Sequence, residues 1–209
     1  SSRVILPGAS APKPASFEVR NGKIAKLQVA ASAPKDDGLP ILDFKAHVIL
    51  PGLVDTHAHI NEPGRTEWEG FETATRAAAA GGITTVIDMP LNSIPATTTL
   101  AALQTKARAA EGKCRIDYGF WGGVIPGNAA ELEPMVRAGA FGFKCFLCPS
   151  GVDEFPHVSE ADLRIAMPIL ARLGVPLLVH AEIESPVDIT EKDPRRYRGF
   201  LQSRPQRWE

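Results

Sequence analysis

Residues 50–60 read Leu50-Pro51-Gly52-Leu53-Val54-Asp55-Thr56-His57-Ala58-His59-Ile60, an apolar run that ends in two histidines. The run is rich in residues that favour strands, and the side chains of a strand alternate between its two faces. His57 and His59 therefore share a face, where their imidazoles can bind one divalent metal ion such as zinc. A His-x-His pair also occurs by chance or as a hydrogen-bonded pair in a core, so the motif alone leaves both interpretations open.

From Pro51 onward, the sequence alternates between strand and helix patterns. Strand patterns recur about every 30 residues, a helical pattern fills each interval, and a glycine follows most of the helices. This alternation predicts right-handed βαβ crossovers and a parallel sheet. After the first strand we predict strands at 83–89, 115–121, 141–146 and 175–180, and helices at 66–80, 98–111, 129–138 and 159–173.

Five βα units in succession favour a (β/α)8 TIM barrel over a doubly wound sheet, because no glycine-rich phosphate motif follows the first strand. Since a closed barrel of this kind has eight strands, the α/β fold that we predict is an incomplete TIM barrel. Residues 51–209 would form this N-terminal part of a barrel, and residues 1–50 a small β-sandwich-type subdomain.

Within residues 1–50, Asn21-Gly22 is a strong hairpin signal between two strand patterns at 17–20 and 23–29. A second pair of strands is predicted at 41–44 and 47–50.

The composition is that of an ordinary globular protein, with 209 residues, 44% hydrophobic content and a formal net charge of −1. Near-neutral charge gives no electrostatic reason to expect nucleic acid or a membrane as a partner. Basic residues within 191–209 are interspersed with acidic ones, which favours a solvated loop over the barrel mouth rather than a nucleic-acid surface.

Three cysteines (Cys114, Cys145 and Cys148) are too few for a disulfide scaffold and favour a reducing compartment, for which we predict the cytoplasm. We interpret Cys145 and Cys148 as two partly buried thiols rather than a redox motif.

Lys144 lies in a strand pattern among aromatic and apolar neighbours. A buried ammonium group is costly unless it is paired or loses its charge, although a lysine at a strand end can also extend its amine to solvent. A desolvated lysine has a lowered pKa, and its neutral amine can add CO2 to form a carbamate, a carboxylate-like group that can bridge two cations. Together with His57, His59 and the strand-end His180, such a carbamate would begin a two-metal site that activates water. These residues, and Asp88, fall at strand ends, where barrels hold their catalytic groups.

Longer motifs resemble the cyclic amidohydrolases of the amidohydrolase superfamily, which include dihydroorotases, hydantoinases and allantoinases, and the allantoinase branch is the closest. Beside residues 51–59, the motifs are HINEPGR (59–65), WEGF (68–71), GGITT (81–85), DMPLN (88–92) and GFKCF (142–146). The resemblance covers essentially the whole chain. It implies a hydrolase that opens the ring of allantoin to give allantoate in purine catabolism.

The resemblance also implies the parts of the site. Two divalent metal ions, which we expect to be zinc, would be held by His57 and His59 on one metal, by carboxylated Lys144 as the bridge and by His180 on the second metal. Arg65 and Asn92 match motif positions near the substrate. The partners implied are a small-molecule substrate, allantoin, and further copies of the full-length chain in a homotetramer.

Two departures from neighbouring branches bear on the substrate. Hydantoinases carry a tyrosine five residues after the lysine, where this chain has Pro149; dihydroorotases usually place an arginine two residues after the second histidine, where this chain has Asn61. Hydrolases of these two types are nevertheless alternatives, and so is a non-catalytic scaffold of the same fold. Scaffolds typically lose metal ligands, whereas the four ligands expected in this span are all present.

The chain starts at Ser1 and carries five predicted barrel strands, so we expect a fragment of a longer protein that is inactive alone. The resemblance requires one more histidine ligand and an aspartate that acts as general base. Both are expected on strands beyond Glu209.

Overall fold

The computed structural model describes residues 1–29 and 38–208, which form a mixed α/β structure. The predicted fold class is confirmed at this level. The chain divides into two compact units, Ser1–Leu53 and Val54–Glu209. Among the described residues, none of the helices combines the length and the apolar character that crossing a membrane requires.

In its described residues, 1–29 and 38–53, the first unit holds four short strands: β1 (Arg3–Val4), β2 (Ala15–Arg20), β3 (Lys23–Val29) and β4 (Val48–Ile49). The predicted hairpin is confirmed, because β2 and β3 pair antiparallel across Asn21 and Gly22. These two turn residues have φ values of 51° and 74°. Glycine and asparagine adopt positive φ more readily than other residues, which explains why this dipeptide specifies the turn.

The predicted strand at 41–44 is wrong. A turn follows it directly, in which the His47 N–H donates to the Phe44 carbonyl at 2.9 Å and Lys45 has a φ of 48°. Asp43 stabilises this turn, since its carboxylate accepts the Lys45 N–H at 2.8 Å. The partner of β4 is instead β1, with which it pairs in parallel.

The second unit alternates strands and helices in the predicted order. Its elements are β5 (Leu53–Ala58), α1 (Phe71–Ala80), β6 (Ile83–Asp88), α2 (Leu100–Ala110), β7 (Asp117–Phe120), β8 (Gly122–Gly123), α3 (Ala129–Arg137), β9 (Phe143–Phe146), α4 (Glu160–Leu173), β10 (Leu177–His180), α5 (Tyr197–Ser203) and a 3-10 turn (Gln206–Trp208).

Side-chain caps decide where two of the helices begin. Before α4, the Ser159 hydroxyl accepts the Asp162 N–H and the Asp162 carboxylate accepts the Ser159 N–H, which together satisfy two donors of the first turn. Helix α1 begins at Phe71 rather than at the predicted Thr66, because the buried Glu62 carboxylate accepts the Phe71 N–H at 2.9 Å and takes the chain into the helix there.

The strands of the second unit follow one another across two hydrogen-bonded sheets, ordered β5-β6-β7 and β8-β9-β10. The pairs β6–β7, β8–β9 and β9–β10 are parallel, as the sequence predicts. Only Trp121 separates β7 from β8, and its N–H donates to the Asp88 carbonyl at 2.9 Å. The Phe141 N–H donates to the Phe120 carbonyl at 3.1 Å, so backbone hydrogen bonds connect the two sheets.

The strands bury different residues on their two faces. Helices α1 to α4 pack on one face over the larger core cluster, which includes Phe71, Val86, Leu103, Phe120, Leu132, Phe143 and Leu170. The opposite face carries a smaller cluster, in which Phe146 and Leu178 pack against Ile87, Met89, Leu91, Ala96, Trp121 and Phe155. Because strand side chains alternate, this second face is also the one on which Lys144 lies.

Candidate functional site

The histidine pair lies at the end of β5. The ring centroids of His57 and His59 are 5.4 Å apart, and both side chains are exposed. Ala58 and Ile60 belong with the helix-side core, so the two histidines alternate to the other face of the strand. The Asp55 carboxylate accepts the His57 N–H at 2.9 Å and holds the backbone at this point.

The surroundings of His59 favour its neutral form. Although part of His59 is exposed, the partial burial of its ring lowers its pKa, and His57, Lys106 and Lys144 lower it further, while a hydrogen bond to the Leu91 backbone opposes them. The neutral imidazole is the form that binds metal ions.

Lys144 is buried, with 5% of its surface exposed. Its Nζ lies 4.9 Å from the centroid of the Phe146 ring, and within the described part of the chain no carboxylate forms an ion pair with it. Desolvation lowers the pKa of Lys144. The side chain therefore does not reach out to solvent, which was the alternative left open by the sequence.

His180 ends β10 and stands opposite Phe146 in the parallel register, as Leu178 stands opposite Lys144. The His180 ring stacks on the Phe146 ring at 5.0 Å and 16°, and His180 Nε2 lies 3.2 Å from Glu182 Oε1. Phe146 thus contacts both Lys144 and His180. The parallel pairing of β9 and β10 brings these two residues to the same end of the sheet.

Arg65 and Asn92 are linked by a hydrogen bond. Arg65 Nη1 donates to the Asn92 carbonyl at 2.8 Å and to Glu154 Oε1 at 2.6 Å, and the guanidinium lies 5.1 Å from the centroid of Trp68. Asn92 has a φ of 77°. The hydrogen bond from Arg65 lowers the pKa of Glu154. Sequence reasoning missed Glu154, because it lies in a loop far along the chain from Arg65.

Asp88 has a structural role at the end of β6. Its Oδ2 accepts a hydrogen bond from Lys106 Nζ at 2.7 Å, and both side chains are almost completely buried. Burial raises the pKa of Asp88, while the ammonium of Lys106 opposes the rise. Sequence reasoning missed Lys106, although its spacing from Leu103 and Ala110 places it on the buried face of α2.

One cluster of histidine, cysteine and carboxylate side chains has the spacing of a metal site. Within residues 1–29 and 38–208, Cys148, His180 and Glu182 are the one set of three such side chains whose ligand atoms all lie within 4.8 Å of one another. His57, His59 and His180 form no such set among these residues. A cavity of about 320 Å³ beside β5 and α1 is lined by four alanines, Ile60, Ile83 and Val86, with Asp55 and His59 as its polar residues.

The chain matches the model of the amidohydrolase family over residues 48–193. It is 52% identical over 209 residues to an allantoinase of Streptomyces avermitilis, covering 98% of this chain and 46% of that protein. It is 50% identical over 188 residues to a mitochondrial allantoinase of Aquarana catesbeiana, covering 90% of this chain and 39% of that protein. The chain thus spans less than half the length of these relatives.

Among solved structures, an L-hydantoinase (dihydropyrimidinase) from Arthrobacter aurescens matches with a TM-score of 0.81 and 29% identity, over 99% of this chain and 46% of that one. A D-hydantoinase from a Thermus species matches with a TM-score of 0.67 and 26% identity, over 87% of this chain and 39% of that one.

Proposed function

Because the chain belongs to the amidohydrolase family, we propose that it is part of a metal-dependent cyclic amidohydrolase that hydrolyses allantoin to allantoate. The observation that carries this proposal is the buried Lys144, which has no carboxylate partner among the described residues and lies on the sheet face opposite the helices. The high identity to allantoinases supports allantoin as the substrate over other cyclic amides.

The environment of Lys144 fits a carbamate. Its lowered pKa favours the neutral amine, which is the form that attacks CO2 and then loses a proton. The product has two oxygens and a negative charge, so it would place an anionic ligand next to the metal ions where the neutral amine carries no charge. The Phe146 ring against Nζ limits the movement of the side chain.

In the proposed site, His57 and His59 would hold one divalent ion, His180 would hold a second, and the carbamate of Lys144 would be a ligand to both. Zinc fits this set of imidazole and carboxylate-like donors. When bound, a metal pair of this kind activates water and polarises a carbonyl group. The contribution of the chain itself is to hold the donors: Asp55 fixes the backbone of His57, and Phe146 packs against the His180 ring.

We assign Arg65 and Asn92 to the substrate. The Arg65 guanidinium donates to the Asn92 backbone, so the two act as one unit, and Glu154 and Trp68 hold the guanidinium in place. Guanidinium N–H groups suit the carbonyl oxygens of a cyclic amide. Pro149 occupies the position of the hydantoinase tyrosine, which favours a substrate other than simple hydantoins.

The remaining parts of the proposal concern the whole protein. We propose that residues 51–209 form the N-terminal part of a (β/α)8 barrel and that residues 1–50 form a separate β subdomain. The last histidine ligand and the aspartate general base would come from outside this chain. We also propose a homotetramer and a cytoplasmic location, although the allantoinase of Aquarana catesbeiana is described as mitochondrial.

The experiment is a ring-opening assay on a complete protein that includes this chain, supplied with zinc and bicarbonate. Allantoin, hydantoin and dihydroorotate are compared, and we expect allantoin to give the highest kcat/KM. Preference for hydantoin or dihydroorotate would reassign the substrate. A fully metal-loaded protein that opens none of these rings would refute the proposed hydrolase, and a protein that fails to retain metal would favour the scaffold.

A further inference from the structure

We propose that Cys148, His180 and Glu182 form a further binding site, overlapping the proposed two-metal site at His180, for a soft or borderline divalent cation such as Cd²⁺, held through one sulfur, one nitrogen and one oxygen. The site differs from the two-metal site above, because Cys148 and Glu182 take no part in that one. The two share His180, but the new site does not depend on catalysis.

The distances suit a metal ion. The ligand atoms of the three side chains all lie within 4.8 Å of one another, and His180 Nε2 and Glu182 Oε1 are 3.2 Å apart. Tetrahedral metal bonds of the usual lengths place neighbouring ligand atoms about 3.3 to 3.8 Å apart. The sulfur therefore has to approach the other two donors by roughly one ångström or less.

The fold holds the donors on two neighbouring segments. Cys148 follows β9 and is buried, with 7% of its surface exposed, whereas His180 and Glu182 are half-buried at the end of β10. The Leu147 N–H donates to the His180 carbonyl at 3.0 Å, which ties the backbone before Cys148 to the backbone of His180. Stacking on Phe146 restrains the imidazole ring. Little side-chain freedom would be lost when a cation binds.

Arg204 forms an ion pair with Glu182 in the present structure. Its Nη1 donates to both oxygens of Glu182, at 3.3 and 3.0 Å, and so neutralises the carboxylate. When a divalent ion binds, Cys148 loses its thiol proton to solvent, and the thiolate and the carboxylate together balance the two positive charges. Arg204 then has to leave Glu182. The arginine is consequently a competitor whose removal should raise the affinity of the site.

The chemistry selects the metal. Thiolate is a soft ligand that Cd²⁺ and Zn²⁺ accept and Mg²⁺ does not. A cation at this site also occupies a ring nitrogen of His180. Under the proposed function it would therefore compete with the second catalytic metal.

The test is a Cd²⁺ titration of the purified, metal-stripped protein, followed by the ultraviolet charge-transfer absorption of a cadmium–thiolate bond. We expect a band that saturates at one ion per chain, that disappears in Cys148→Ser and that persists in the matched control Cys114→Ser. Glu182→Gln should weaken Cd²⁺ binding by roughly tenfold or more, and Arg204→Gln should strengthen it. Mg²⁺ should neither produce the band nor displace Cd²⁺.

A band that persists in Cys148→Ser, or that is absent from the wild-type protein, would overturn the proposal. So would a band that neither Glu182→Gln nor His180→Asn weakens, because the ion would then bind a thiol alone. Circular dichroism checks that Cys148→Ser is folded, and the increase expected for Arg204→Gln is an independent test in a variant that keeps all three ligands. Since the readout is spectroscopic, failure to hydrolyse allantoin would refute the proposed function without affecting this site.

Discussion

Asp88 Oδ1 accepts the backbone N–H of Ile60 at 2.6 Å, which fixes the end of β5 to the end of β6. Ile60 directly follows His59, so this buried hydrogen bond lies next to the histidine pair. Lys106 completes the arrangement, since its Nζ donates to Asp88 Oδ2 at 2.7 Å and to the Met89 carbonyl at 2.9 Å. A strand-end carboxylate that could have been a metal ligand is thus engaged in supporting the strand that carries His57 and His59.

The first prediction concerns this buried pair. Lys106→Met leaves Asp88 buried without its cation, and we expect a loss of about 3 to 5 kcal/mol in the free energy of unfolding. Adding Asp88→Asn to Lys106→Met should recover part of that loss, because the uncompensated charge is then removed. Urea unfolding of the wild type, the two single variants and the double variant measures the coupling. Strictly additive effects would contradict the pairing.

The second prediction concerns the pH dependence of Arg65 and Glu154. Because the hydrogen bond from Arg65 lowers the pKa of Glu154 below its usual value of 4.5, the pair stabilises the folded state above that value. The stabilisation is lost as the pH falls through the lowered pKa of the folded protein. Both side chains are partly exposed, so the size should stay below about 1 kcal/mol.

A titration of the Glu154 carboxyl by NMR checks this directly. We expect its pKa to rise towards 4.5 in Arg65→Gln and to stay lowered in the control Arg108→Gln, whose guanidinium contacts Thr105 on the surface of α2. Equal values in the wild type and Arg65→Gln would mean that the ion pair does not form in solution.

Much of the fold could be predicted because its signals are local. Alternating strand and helix patterns, the Asn21-Gly22 turn and the glycine after each of several helices act over a few residues, and the elements of the second unit appear in the predicted order. The prediction of a strand at 41–44 was wrong for a non-local reason, since β4 pairs with β1 from the start of the chain. The predicted start of α1 was wrong for a similar reason, because the side chain that caps the helix is Glu62, which lies outside the helical pattern.

In the candidate site too, local patterns predicted some residues and missed those that depend on contacts distant in sequence. His57 and His59 follow from strand alternation, and Lys144 follows from its apolar neighbours. The burial of Lys106 was not predicted, because a lysine in an alanine-rich helix is typical of a solvated face. Only its spacing from Leu103 indicated burial. The proximity of Cys148 to His180 arises from the pairing of β9 with β10, which no local pattern encodes.

The third prediction is that residues 1–209 alone do not open the allantoin ring. The chain spans less than half the length of its allantoinase relatives. Under the proposed function, one more histidine ligand and the general base would come from outside it. A site that binds water without its base should lose orders of magnitude in rate. The assay compares the purified 209-residue chain with a complete allantoinase at equal concentration, with zinc and bicarbonate present. Comparable turnover would show that the missing groups are not needed.

The fourth prediction concerns Lys144 in the complete protein. Lys144→Ala should lose most of the bound metal and most of the activity, because it removes the group proposed to bridge the two ions. Added short-chain carboxylic acids such as propionate should restore part of both, since a free carboxylate can occupy the space left by the side chain. Metal content by mass spectrometry and allantoin turnover are measured together, with the exposed Lys23→Ala as the control.

The variant Lys144→Met distinguishes loss of the amine from loss of folded stability. Methionine fills a similar volume without an amine, and the wild-type amine is buried with no carboxylate partner among the described residues, so this variant should be at least as stable as the wild type. It should nevertheless lose metal, and propionate should rescue it less well than Lys144→Ala because the space is filled. Wild-type metal content and turnover in both variants would exclude Lys144 as the bridge. Loss of metal together with unfolding in Lys144→Met would instead assign the lysine a structural role.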